Sequence, residues 1–174
     1  GNGVDDPIVG DAGYGRGIVI DPARTNPFTR SGELATNPPW VPSGSTMAAP
    51  TVAAGPGGPD GGSTASLEYP LSTGGGWTVL YQTASLTSGT TYTVSIWLKG
   101  AAGGETVYLM CTPNGVIYYK TACVLTSGWQ RFTLTFTVGT TLAHYVQLGV
   151  DRRDGTQAGQ PAQTIHATHA QIEA

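Results

Sequence analysis

Three kinds of side chain in this 174-residue sequence could do chemistry: a close pair of histidines, two cysteines and a scatter of carboxylates. His166 and His169 look like metal ligands, but they lie three apart in TIHATHAQIEA, a segment that reads as a strand. Successive strand side chains point to opposite faces, so an odd spacing separates the two rings unless a bulge intervenes. The expectation is two half-exposed strand residues. Cys111 and Cys123 fall in no C-x-x-C zinc spacing and flank a hairpin signal. One bridge between them would require an oxidising medium, and burial as two small apolar side chains is the favoured reading.

Glycoside hydrolysis needs two carboxylates facing each other across a cleft. Only 11 acidic residues exist, and Asp5, Asp6, Asp11, Asp60, Asp151 and Asp154 all fall at turns. Glu68, Glu105 and Glu173 lie on or near strands, but no spacing brings any two together. The turn from Asp151 to Asp154 offers oxygens of the kind calcium takes, yet local Asp–Arg pairs with Arg152 and Arg153 are the simpler expectation. Gly74-Gly75-Gly76 is followed by neither a helix nor a lysine, so it is no phosphate loop. The expectation is a non-catalytic chain without cofactor or metal, a structural calcium being unsupported.

Binding chemistry is better represented. Sugars present weakly apolar C–H faces that aromatic rings can cover, with amides and charges at the edges. Strand alternation leaves Trp97 outward beside Lys99, and Tyr145 outward beside Gln147. Tyr108 has the opposite parity from Val107 and Leu109, and Tyr118 and Tyr119 face opposite ways, which leaves one of them a candidate for exposure. The candidate ligand-binding residues are therefore Tyr145, Gln147, Tyr108 and Trp97. The competing reading has these rings filling the interior, capping its edges or packing under loops.

The elements that position them are strands. Charged residues make up 11% of the chain, against about 25% in ordinary soluble domains. Twenty-six Gly and 12 Pro punctuate the sequence as many short strands require. STASLEYP, WTVLYQTASL, TTYTVSIWLKG, ETVYLMC, VIYYKTACVL, WQRFTLTFTV, HYVQLGV and TIHATHAQIEA read as strands. In them Val94, Ile96 and Leu98 alternate with Thr93, Ser95 and Trp97, and Phe132, Leu134, Phe136 and Val138 with Arg131, Thr133, Thr135 and Thr137. Pro113-Asn114-Gly115 marks a hairpin. About eight or nine strands result, with no amphipathic helix, which is the pattern of an antiparallel β-sandwich.

Residues 41–62 read as a Gly/Pro/Ala-rich loop with one short strand near Thr51–Ala53. Residues 1–23 hold one apolar burst, Gly17-Ile18-Val19-Ile20, and are expected to form an extended arm or a linker, with the sandwich over 24–174. A net charge of −3 without a basic stripe gives no electrostatic footprint for nucleic acid or anionic membrane. No apolar run approaches the roughly 20 residues of a membrane span. Gly1 to Asp11 is largely polar and does not read as a signal peptide.

Gly89-Thr90-Thr91-Tyr92-Thr93-Val94-Ser95-Ile96-Trp97-Leu98-Lys99-Gly100 resembles the G-x-x-Y-T-x-S-x-W-x-K-A strand of carbohydrate-binding-module-like jelly rolls. It is similar in particular to those of bacteriophage tail fibres, tail spikes and minor tail proteins. Ala23-Arg24-Thr25-Asn26 with Ala35-Thr36-Asn37-Pro38 resembles the entry to such modules. Gly128-Trp129-Gln130-Arg131-Phe132 looks like a late strand start, and Ala170-Gln171-Ile172-Glu173 like the closing strand. Two departures are Pro39-Trp40 after the opening Asn-Pro, and Thr168-His169 where Gly is usual.

The resemblance implies a jelly-roll component of a virion, a homo-oligomer or multicopy beside other virion proteins, with host-surface glycan as the expected ligand. A decoration protein clamping capsid or tail subunits is the second expectation. An accessory carbohydrate-binding module of a polysaccharide-degrading enzyme is the third.

Overall fold

The computed structural model describes residues 26–28, 31–113 and 119–174. The described residues form ten strands: β1 (Val41–Gly44), β2 (Thr51–Ala54), β3 (Ala65–Tyr69), β4 (Trp77–Leu86), β5 (Thr91–Gly100), β6 (Thr106–Pro113), β7 (Tyr119–Val124), β8 (Gln130–Thr137), β9 (Leu142–Asp151) and β10 (Gln163–Glu173). They build two five-stranded antiparallel sheets, a front sheet ordered β1-β4-β9-β6-β7 and a back sheet ordered β2-β3-β10-β5-β8. No helix is found among the described residues. This is the β-sandwich that the strand rhythm implies.

Alternation explains the core. Val94, Ile96 and Leu98 of β5, Leu134 and Phe136 of β8 and Ile165 and Ala167 of β10 meet Leu80, Leu109, Val146 and Leu148 of the front sheet. Each of these side chains larger than alanine contributes about 1.5–3 kcal/mol by leaving water. Phe28 and Trp40, from the chain before β1, join the same core with ring centroids 5.4 Å apart. Buried Tyr69 spans the two layers, its hydroxyl donating to the Leu148 carbonyl at 2.6 Å. Burial pushes its phenol well above the ordinary range, so the donor stays protonated.

The passage over residues 41–62 holds more order than its composition suggests. Besides β2, the segment Val41–Gly44 is a strand, paired with Thr78–Tyr81 of β4. A Pro–Gly segment this short gives no alternation to read, and an edge position is where Pro is tolerated. The arm over residues 1–23, its boundary at 24, and the turn at Asn114–Gly115 lie outside the described residues.

Cys111 and Cys123 are free, buried and on the inner face. Their register explains why: Cys111 opposes Tyr119, whereas Cys123 opposes Val107, four positions along the same ladder. At roughly 3.3 Å per residue the two are about 13 Å apart. A disulfide needs Cα atoms within about 7 Å.

β10 carries a bulge. Thr168 opposes Trp97 and Gln171 opposes Ser95, so three steps on β10 match two on β5, and His169 has a φ of 50°. The extra residue resets the alternation and turns Ala170 and Ile172 inward alongside Ile165 and Ala167. Backbone groups freed there are taken by the preceding chain. The Ala170 amide donates to the Ser31 carbonyl at 3.0 Å, and the Ile172 amide to Asn26 Oδ1 at 3.1 Å. The bulge does not unite the histidines. His169 Nε2 lies 3.2 Å from Asp60 Oδ2, whereas His166 sits opposite Lys99 and Ser66. Among the described residues, no cluster of His, Cys, Asp and Glu is placed to hold a metal.

Candidate functional site: a ring-lined cleft on the front sheet

The odd-numbered residues of β4 face away from the core, which puts Trp77, Val79 and Tyr81 on the outer side of the front sheet. β9 adds Tyr145 and Gln147, since Tyr81 opposes Gln147 and Thr83 opposes Tyr145. Ser43 of edge strand β1 opposes Val79, and Thr112 of β6 opposes Tyr145. With Arg153 from the loop after β9, these side chains line a cleft of about 290 Å³.

The rings are held in place. Tyr81 and Tyr145 meet edge to face, with centroids 5.4 Å apart at 70°. Trp77 Nε1 donates to Ser43 Oγ at 3.0 Å, and the Arg153 guanidinium carbon lies 4.3 Å from the Trp77 ring centroid. Arg153 is in turn fixed by the fully buried Asp151, with Nε 2.9 Å from Oδ1 and Nη2 2.6 Å from Oδ2. This is the local Asp–Arg pair expected of the turn, and it engages the carboxylate that a calcium ion would need. Asp154 is likewise engaged, by Lys120 and Thr156.

The polar groups of the cleft include two acceptors without partners. Gln147 Oε1 and Thr112 Oγ1 are buried and make no hydrogen bond among the described residues. An unmet buried acceptor costs about 1–3 kcal/mol, which a donor from a bound molecule would relieve. Among the described residues, no carboxylate lines the cleft.

The structure brings Tyr145 and Gln147 together in this cleft. Tyr108 shares their face, opposite Gly149 and Ala122, but lies outside the lining. Trp97 belongs to the other sheet, between Arg131 of β8 and Thr168 of β10, and has no part in the cleft. Tyr119 is half-buried and stacks on Phe136 at 4.7 Å, while Tyr118 lies outside the described residues. Sequence reasoning missed Trp77, Tyr81, Thr112 and Arg153. The signal for the first two was their shared odd parity in WTVLY.

A larger, open groove of about 840 Å³ lies between the β5–β6 and β9–β10 loops. Ala48, Ala101, Gly104 and Pro161 line it together with Glu68 and Glu105, two carboxylates that no sequence spacing joins, the latter held by the Ala102 and Gly103 amides; among the described residues it offers no exposed platform of rings. Size alone would favour it; the chemistry favours the smaller cleft.

The family model of a carbohydrate binding domain matches residues 36–156, more than half of the chain. The chain belongs to this family. It is a jelly-roll carbohydrate-binding module, a class that is non-catalytic by itself. Nothing among curated proteins matches it.

Among solved structures the chain is similar to TmCBM61 in complex with beta-1,4-galactotriose, at 17% identity and a TM-score of 0.60, covering 85% of this chain and 97% of that one. It is similar to the CBM22-1 xylan-binding domain from Paenibacillus barcinonensis Xyn10C, at 13% identity and a TM-score of 0.59, covering 86% and 91%. It also resembles the enzymatically active domain of bacteriophage CBA120 tailspike protein 4, at 13% identity and a TM-score of 0.61, covering 84% of this chain and 21% of that one. At these identities the likeness is one of fold.

Proposed function

We propose that the front-sheet cleft is the glycan-binding site, that its ligand is a neutral host-surface glycan, and that the module serves in a bacteriophage tail fibre or minor tail protein. One observation carries the site: Trp77, Tyr81 and Tyr145 line one cleft with Gln147 Oε1 and Thr112 Oγ1, acceptors that have no partner among the described residues. Rings cover the C–H faces of a sugar while its hydroxyls donate to the two oxygens. Neutrality follows from the lining, whose single charged side chain is already balanced by Asp151. The virion setting is supported by the four tail-protein-like motifs in their order along the chain. A second reading, the accessory module of a polysaccharide-degrading enzyme, is supported by the shared fold with the xylan-binding domain of Xyn10C.

The test is binding of the purified domain to arrayed neutral and acidic glycans and to bacterial cells. Tyr145→Ala and Tyr81→Ala should each lose binding while Trp97→Ala keeps it. Binding restricted to plant cell-wall polysaccharides favours the enzyme-accessory setting. If the ring variants bind as the parent does, the cleft is not the site. Absence of any glycan binding leaves the structural clamp on capsid or tail subunits as the function.

A further inference from the structure

The front face is not an open trough from edge to edge. One transverse row of outward residues runs Val41, Tyr81, Gln147, Met110, Lys120 across β1, β4, β9, β6 and β7. A polysaccharide lying across the strands would follow such a row. The half over β1, β4 and β9 is cleft. Along this row the positions over β6 and β7 are occupied by the chain's own loop after β9, while Thr112, one row further along β6, still lines the cleft. Gln157, itself buried, donates from Nε2 to Met110 Sδ at 3.1 Å, and Met110 is fully buried although it points outward. The Asp151 amide donates to Gln157 Oε1 at 2.8 Å, which folds the loop back on its own root. Beyond Met110 the loop reaches the edge strand, where Lys120 pairs with Asp154 and Thr156. At its base Arg152 donates to the Gly74 carbonyl at 3.1 Å, anchoring it to the approach to β4.

The loop is therefore a wall tied at three strands. Gln147 and Thr112, whose buried oxygens have no partner among the described residues, sit at the walled side of the cleft. A volume of about 290 Å³ is at the lower limit of small-ligand pockets, which span about 300–1,000 Å³. Such a space suits one or two sugar rings.

We infer that this cleft reads the terminal one or two residues of a glycan, not a stretch within a chain, because the 152–160 loop closes it over β6 and β7. The inference rests on the glycan-binding reading of the same cleft and names the substrate class: chain ends and short branches. The loop sets the specificity, with Gln157 and Lys120 as positioning residues that hold the wall.

The test uses an array of linear oligosaccharides of one to six units, each also supplied with its non-reducing terminal residue methylated and with its reducing end reduced. End recognition predicts that affinity changes by less than about threefold from the disaccharide to the hexasaccharide, and falls by about tenfold or more when one particular end is modified. The Q157A/K120A double variant, checked for an unchanged thermal transition or else for native far-UV circular dichroism, should regain a dependence on length. Affinity that climbs steadily to six units in the parent, with indifference to both end modifications, overturns the inference and leaves the cleft a glycan site. No binding to any array member overturns the glycan reading and this inference with it.

Discussion

Tyr81 and Tyr145 lean on each other edge to face although neither is the other's cross-strand partner: Tyr81 opposes Gln147, and Tyr145 opposes Thr83. The contact is diagonal, the reach that long aromatic side chains have on a sheet face. Each ring thus fixes the angle at which the other meets the cleft, so the pair behaves as one platform.

Non-additivity follows. Y81A and Y145A should each lower glycan affinity by about tenfold, while the double variant loses clearly less than the product of the two. Losing the ring–ring contact should cost about 0.5–1.5 kcal/mol of stability, so all three variants fold. Titration calorimetry with the best array glycan measures the cycle, and strict additivity would mean the rings act separately.

The two thiols should be silent in the native protein. Burial pushes both Cys111 and Cys123 up to about 12, so almost no thiolate exists at pH 8. A colourimetric thiol reagent should find no reactive group in the folded domain and two in denaturant. Non-reducing electrophoresis that reveals an intrachain bridge would contradict the ladder register.

Gly149 is the most exacting position of β9. Its φ is 144°, and an added Cβ would lie 2.3 Å from the Thr78 carbonyl oxygen and 2.9 Å from Tyr69 Cε1. Backbone on one side and a buried ring on the other leave nothing able to yield. G149A should cost roughly 3 kcal/mol or more. That corresponds to about 6–12 °C in Tm for a domain of this size. Differential scanning calorimetry would show it, and a variant as stable as the parent would contradict the geometry.

His166 gives a sign for pH. Burial, helped by Lys99 and opposed by Glu105, holds its folded pKa below the ordinary histidine value of 6.5. Between that folded value and 6.5 the unfolded chain binds more protons, so stability rises with pH across this window. The contribution is complete above 6.5, declines as pH falls through it, and stops changing once both states are protonated. H166Q should flatten this part of a plot of Tm against pH. A parent with equal Tm at pH 7 and pH 5 after subtraction of the variant's slope would contradict the assignment.

Much of this architecture was legible from alternation. β5 and β8 read correctly because Val94, Ile96, Leu98, Leu134 and Phe136 face the core while threonines and Arg131 face out. β4 was harder, since Thr78, Val79 and Leu80 are all buried in succession. Its outer residues lie under the cleft and its inner ones in the core, so no polar face announces which side Trp77 and Tyr81 take. Trp97 shows the limit of parity: alternation tells outward from inward but not to which sheet a strand belongs. Arg153 and Gln157 could be read as turn residues, but not as parts of a wall, because that depends on a loop folding back over Met110. The histidine spacing could not announce the bulge at His169, which shifts every facing after it, yet the two rings still lie apart, as their odd spacing implied.

The two margins of the sandwich are built differently. On one side β7 and β8 are sutured, with Tyr119 stacked on Phe136 and its hydroxyl donating to the Thr137 carbonyl at 2.8 Å. On the other, β1 and β2 are four-residue strands, one containing Pro42 and the other preceded by Pro50. That second margin offers another sheet no long row of unpaired amides to extend. Copies packed at high local density therefore have no ladder to fuse through there, and a site weak on its own can act by number.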